Sequence, residues 1–275
     1  VNAKRTWKAC RSLFRVRFAE GLRYRAAAFS GALVSVFWGF IKCVIFSAFY
    51  EYGRNGTKGN GLELSQAISY VWLAQGLFML QAMSVDADIL GKIKNGDIGV
   101  ELCRPLGLYA HWFAKSAAGR LGGAWLSGLI AVLAGFCMPA GWALGLPASA
   151  WGFILFLVTA AMAFLQCSGY AMLVTSIRVD ITWGDGPAYI LMLLGGVLSG
   201  AVFPLRLWPD CMQTFLRLQP FAGFTDIPAQ LWVGSLRPSD ALPAMALQLF
   251  WSLAFIALGR AIMRRRLKSV IIQGG

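Results

Sequence analysis

From Leu121 to Ile177 the chain contains no Asp, Glu, Lys or Arg. A water-soluble core would interrupt so long a run with polar faces, whereas a chain dissolved in lipid has no need to. Pro139, Gly141, Gly145 and Pro147 mark a turn inside the block, which therefore reads as two crossings, near Gly119 to Met138 and from Trp151 to Ile177. A crossing takes about 20 residues, because a hydrocarbon layer about 30 Å thick is traversed at about 1.5 Å per residue. The same measure finds four further candidates: Phe29 to Tyr50 with the single charge Lys42, Leu64 to Val85 with none, Pro187 to Leu205, and Ala241 to Gly259. The expected fold class is an all-α membrane protein with six transmembrane helices.

Composition agrees. The chain is 58% hydrophobic and 13% charged, about half the charged content of soluble domains. A net charge of +13 raises the question of nucleic acid, but the cations lie beside the apolar blocks, so no nucleic-acid partner is expected. Of the 25 Lys and Arg residues, 19 fall on the side of the termini, 5 on the opposite side, and Lys42 within a span. The richer side is cytoplasmic by the positive-inside rule, placing both termini inside a cell (inner) membrane. The basic start, followed by a block of spanning length, is not expected to be a cleavable leader. Six cysteines are scattered without ligand spacing and read as small apolar fillers. Several of the tryptophans fall near span ends, as headgroup-level anchors do, and most suit ordinary packing.

Three polar regions exceed what a hairpin turn needs. Residues 1–28 interleave Trp7, Leu13, Phe14, Val16, Phe18 and Leu22 with eight cations, the pattern of an amphipathic helix lying in the inner headgroup layer. Residues 29–263 form the membrane domain and 264–275 a basic cytoplasmic tail. Between the second and third spans, Asp86 and Asp88 suit a helix start, and Ile89, Leu90 and Ile93 follow at helical spacing with Lys92 and Lys94 between and after them. Gly96 can end the turn. This short helix either docks its apolar ridge into a partner's groove or covers its own loop. From Arg206 to Asp240, prolines forbid one long helix, yet the segment is too apolar for a free loop; short helices dipping into the outer leaflet satisfy both facts.

Catalytic chemistry finds little support. His111 is the only histidine and has no ligand pattern around it, no GxSxG elbow occurs, and no phosphate-binding G-x-x-x-x-G-K-[ST] loop occurs. Lys42, near mid-span, is expected to face protein or water, either in a substrate path or as a polar bridge, unless helix tilt lets it snorkel. The Asp and Glu residues lie outside the expected span cores, which argues against proton-coupled carriage. Gly196 and Gly200 form a small-xxx-small pair suited to close helix packing.

Three local stretches resemble one family. They are Ile98-Gly99-Val100-Glu101-Leu102-Cys103-Arg104-Pro105-Leu106, Ser199-Gly200-Ala201-Val202-Phe203-Pro204-Leu205 leading through Trp208-Pro209 to Pro220-Phe221, and the ending Arg264-Arg265-Arg266 through Gln273-Gly274-Gly275. In order and spacing the chain is similar to the permease subunit of an ABC exporter of the ABC-2 (export-type) superfamily, in the branch that pairs two permeases with a separate ATPase. The resemblance implies six spans, an N-terminal interfacial helix, a cytoplasmic coupling helix from Asp86 to Gly96, and re-entrant helices between spans five and six. It assigns ATPase coupling to Asp86, Asp88, Ile89, Leu90, Lys92, Ile93 and Lys94, and implies a second permease, identical or related. No catalysis and no cofactor are expected on this chain, with ATP and Mg²⁺ on the partner. Asp at Ile89 and Ile93 is expected to uncouple the motor with the bundle intact. The competing readings are a carrier or channel acting alone and a membrane-embedded lipid-modifying enzyme. The mostly apolar bundle suits a lipid, peptide or amphipathic cargo better than a small ion.

Overall fold

The computed structural model describes residues 3–23, 25–52, 62–78, 80–81, 85–95, 97–103, 107–179 and 186–268. Among them the regular structure is helical, without strands. In chain order the helices are α1 Ala3–Arg23, α2 Arg25–Tyr52, α3 Leu64–Phe78, α4 Ala87–Lys94, α5 Ile98–Leu102, α6 Leu108–Phe136, α7 Ala150–Arg178, α8 Gly186–Leu198, α9 Asp210–Leu218, α10 Asp226–Trp232 and α11 Ala241–Arg266.

Four stretches are long and apolar enough to cross a membrane: Ala28–Tyr52, Leu108–Phe136, Ala150–Arg178 and Pro238–Arg266. They carry the first, third, fourth and sixth expected spans. The other two are shorter than expected. α3 has 15 residues and α8 has 13, so neither alone bridges about 30 Å at about 1.5 Å per residue. The expected boundary at residue 264 is also not a break, because α11 runs on to Arg266; residues 269–275 of the expected tail lie outside the described set, as does Gly96.

The bundle has two packed halves. α7 lies along α11, and α6 gathers α1, α2 and α3. α3 is almost enclosed, with ten of its residues buried. At its centre Trp72 is fully buried, and its indole is sandwiched: a Cβ on Gly39 of α2 would stand 2.8 Å from the ring, and one on Gly135 of α6 2.7 Å. Side chains at those positions would push the helices apart, so two glycines let one large aromatic pin three helices together. Its Nε1 donates to Trp142 O at 2.8 Å. Trp72 and Trp112 are thus core residues, whereas Trp38, Trp125 and Trp151 are exposed on the apolar outside.

α1 packs along α6, with Gly21 meeting Gly122, Phe14 and Phe18 half-buried and Arg11 and Arg15 exposed. After α8 the chain forms a 3₁₀ turn at Leu205–Leu207, then α9, a 3₁₀ turn at Ala222–Phe224, α10 and a 3₁₀ turn at Pro238–Asp240. These short pieces dip inward: Phe221 and Phe224 pack against Tyr170 of α7 and Phe255 near the middle of α11.

Candidate functional site

The charged end of the bundle holds the short helix expected between the second and third spans. Asp86 caps α4: its carboxylate accepts from the backbone N–H of Asp88 at 3.1 Å and of Ile89 at 3.2 Å, which satisfies two donors a helix start leaves open. The apolar ridge turns inward. Ile89 and Ile93 are buried with Ile98, Leu108, Trp112, Met172, Val179 and Met263, and Leu90 is half-buried against Val85 and its neighbours. This corrects the expectation that Asp at both isoleucines leaves the bundle intact. Two carboxylates without partners would be forced among α6, α7 and α11, at several kcal/mol each.

The polar side of α4 joins a charge network that ties it to three other helices. The Asp88 carboxylate accepts from Arg17 of α1 at 3.3 Å, lies 3.7 Å from Lys92, and contacts the Lys115 ammonium of α6. Lys92 turns also to Glu101 of α5 at 2.5 Å, and the other Glu101 oxygen lies 3.4 Å from His111 Nε2 of α6. Arg17 is held in place by Glu20 at 3.0 Å. Asp88 is half exposed, so its pairs with Arg17 and Lys92 are worth no more than about 1 kcal/mol each, whereas the buried Lys115 depends more on that carboxylate. Glu101 is different: its carboxylate is buried and requires Lys92 and His111. Glu101, His111 and Lys115 fall within the polar region from Asp86 to Lys115 read from sequence, but they and Arg17 were not assigned to coupling. One signal was available: His111 and Lys115, four apart, share a face of one helix.

Outward, α4 and α5 present Asp88, Lys94, Asn95 and Asp97 together with Val100 and Leu102, which are 68% and 44% exposed. Arg104, Pro105 and Leu106 of the first family-like stretch lie outside the described residues.

A second constellation lies where α8 breaks. Gly200 has φ +83°, a left-handed conformation that favours glycine, and a Cβ there would collide with the Tyr70 hydroxyl. Carbonyls freed by the break are each taken up from elsewhere. Gln219 Nε2 donates to Leu198 O at 2.8 Å, the Asp226 N–H to Ser199 O at 3.1 Å, and Lys42 Nζ to Ala201 O at 2.7 Å. With the Gln75 amide oriented so that its oxygen faces the lysine, Lys42 also donates to it at 2.9 Å and Gln75 donates to Ser35 O at 3.3 Å. Lys42 is thereby placed as a bridge from α2 to irregular backbone. Gly200 lies past the helix end, so Gly196 and Gly200 do not form one packing stripe; Gly195 is the glycine that meets Tyr170.

α3 ends by the same logic. Gln81, just past it, donates to Ser199 Oγ at 3.2 Å and Thr225 Oγ1 at 2.7 Å, and Arg120 of α6 donates to Gln81 O at 2.8 Å. Tyr70 donates to Asp226 Oδ1 at 2.8 Å, and the other Asp226 oxygen accepts from Gln230 at 2.5 Å. Backbone that leaves the helix inside an apolar bundle must find such partners. Among the described residues no cluster of His, Cys, Asp and Glu is built to hold a metal ion.

A helical bundle with an apolar exterior, one densely charged end and covered helix breaks inside has the build of a multi-pass membrane protein. The sequence model of the family described as ABC-2 family transporter protein matches residues 20–274. The chain belongs to that family, the membrane permeases of ABC transporters. The match takes in α4, the break after α8 and the short helices that follow. Comparison with curated proteins gives no match, and comparison with solved structures gives none.

Proposed function

We propose that the chain is the non-catalytic permease subunit of an ATP-driven exporter in an inner membrane, with both termini cytoplasmic. A separate ATPase binds ATP and Mg²⁺ and drives it, and a second permease, identical or related, supplies the other half of the path. The chain crosses six times, with the segments flanking α3 and α8 completing the two short crossings. The observation that carries this reading is the α4–α5 hairpin. It exposes Val100 and Leu102 beside charged residues at the positively charged end, and ion pairs fasten it to α1 and α6. An exposed apolar pair rimmed by Lys94 and Asp97 suits a groove on a partner, and the ion pairs pass its displacement to the long helices. Within the family-implied coupling residues, Asp88, Lys92 and Lys94 then act at the surface or in the ion pairs, while Asp86, Ile89, Leu90 and Ile93 hold the helix in place.

The test is V100D combined with L102D. Because both side chains are exposed, the unfolding midpoint in detergent is expected to stay within the small range typical of surface changes, about 0.5 kcal/mol. Co-purification of an ATPase subunit and ATP-driven export are expected to be lost. Retention of both would remove the hairpin from the coupling role.

A further inference from the structure

On the side opposite the ion-paired end, the 3₁₀ turn Leu205–Leu207, α9, α10 and the start of α11 enclose a cavity of about 480 Å³. That size lies within the roughly 300–1,000 Å³ of pockets that hold small ligands. Its walls are apolar, with Leu216, Ile227, Leu236 and Leu247 among them. Two guanidinium-bearing residues line it as well: Arg206, half-buried, and Arg217, exposed on the last turn of α9. Burial, and after it the like charge of Arg217, pull the Arg206 guanidinium below the usual arginine range, with Asp226 pulling the other way.

The carboxylates around the same space do not pair with these arginines. Asp226 has its oxygens engaged by Tyr70, Gln230 and the Leu205 N–H. Asp240, exposed at the start of α11, accepts from Ser239. Among the described residues neither guanidinium makes an ion pair. Two guanidiniums thus stand at one cavity without ion-pair partners, alongside Asp226, whose oxygens are engaged elsewhere, and the exposed Asp240. That arrangement favours an anion with an apolar tail that reaches the guanidiniums. The surroundings supply a lateral approach from the bilayer, for Phe215 and Leu218 of α9 are 56% and 59% exposed on either side of Arg217.

We propose that this cavity binds an anionic amphiphile, with a phosphate-bearing head group held by Arg206 and Arg217 and the start of its acyl chain against Leu216, Ile227, Leu236 and Leu247. Guanidinium groups match a phosphate's paired oxygens, and leucine and isoleucine walls exclude water from the first methylenes. The site stands on its own geometry and does not depend on which motor drives the chain.

The experiment uses the full chain, with whatever subunits accompany it in mild detergent, and measures binding of phosphatidylglycerol, phosphatidylcholine with the same acyl chains, and inorganic phosphate. Saturable binding of phosphatidylglycerol is expected, about tenfold tighter than phosphatidylcholine, with inorganic phosphate failing to displace it. R206Q combined with R217Q is expected to weaken phosphatidylglycerol binding about tenfold or more. A244W, which fills the cavity from α11 and leaves both arginines in place, is expected to abolish it. Equal affinity for the two lipids, displacement by free phosphate, or unchanged binding in A244W would each overturn the assignment. If the double variant fails to fold, the comparison of lipids on the unaltered chain and A244W still decide it.

Discussion

The charged end and the helix break are both polar regions in an apolar molecule, and they are built differently. At the charged end, charged side chains pair with other charged side chains, and the shared carboxylate of Asp88 is half exposed. At the break, side chains serve the backbone: Lys42, Gln219 and Arg120 each donate to a carbonyl that has lost its helical partner. Around Asp88 the first arrangement exchanges exposed partners at small cost, since water can replace Arg17 or Lys92, while Glu101 and Lys115 are buried and hold their partners more firmly. The second cannot, because an abandoned carbonyl inside the bundle stays desolvated. Under the proposed function a coupling region must move while a helix break must hold its shape, and the two chemistries match these opposite requirements.

This contrast is sharpest for Asp226. D226A removes the acceptor for the Tyr70 hydroxyl, Gln230 and the Leu205 N–H together, and a loss of about 3 kcal/mol or more is expected, read as a lowered unfolding midpoint in detergent. A midpoint unchanged by D226A would show that water reaches the break, and the contrast would collapse. K42A comes next, at about 2 kcal/mol, from the orphaned Ala201 carbonyl and the lost packing of the lysine stem. The same variant decides between bridge and path. Export lost with an unchanged midpoint would assign Lys42 to cargo contact after all. D88A at the charged end is expected to cost about 1 kcal/mol, with Asp86 remaining near the buried Lys115, yet to lower export per ATP hydrolysed, because Arg17 and Lys115 lose their common partner. The smallest perturbation leaves stability untouched. Cys103 and Cys211 are both exposed, and a membrane-impermeant maleimide applied to intact cells is expected to label Cys211 while sparing Cys103 until the membrane is opened. Labelling of Cys103 from outside would invert the topology.

What the sequence revealed and what it hid divide along the reach of the interactions. The charge-free run from Leu121 to Ile177 and its internal turn announced α6 and α7, because length and solvent preference are local properties. Asp86 announced the start of α4 through capping, again a local effect. Prolines announced the short helices after α8. The ends of α3 and α8 were not legible. They stop where Arg120, Gln219 and Lys42, all distant in the chain, take up the carbonyls, and no window of neighbouring residues contains that information. The ridge of Ile89 and Ile93 was legible as apolar, but not its direction, since a helix that packs on its own bundle and one that docks on a partner have the same periodicity.

The meeting of Gly21 with Gly122 carries a consequence for biogenesis. α1 is the earlier of the two to leave the ribosome, and the helix against which it settles follows only after α2 to α5 have been made. Under the proposed topology, the surface that suits this basic helix and its Phe14 and Phe18 during that interval is the inner face of the bilayer, with its anionic head groups. Lipid would then serve α1 as a temporary cradle until α6 takes its place.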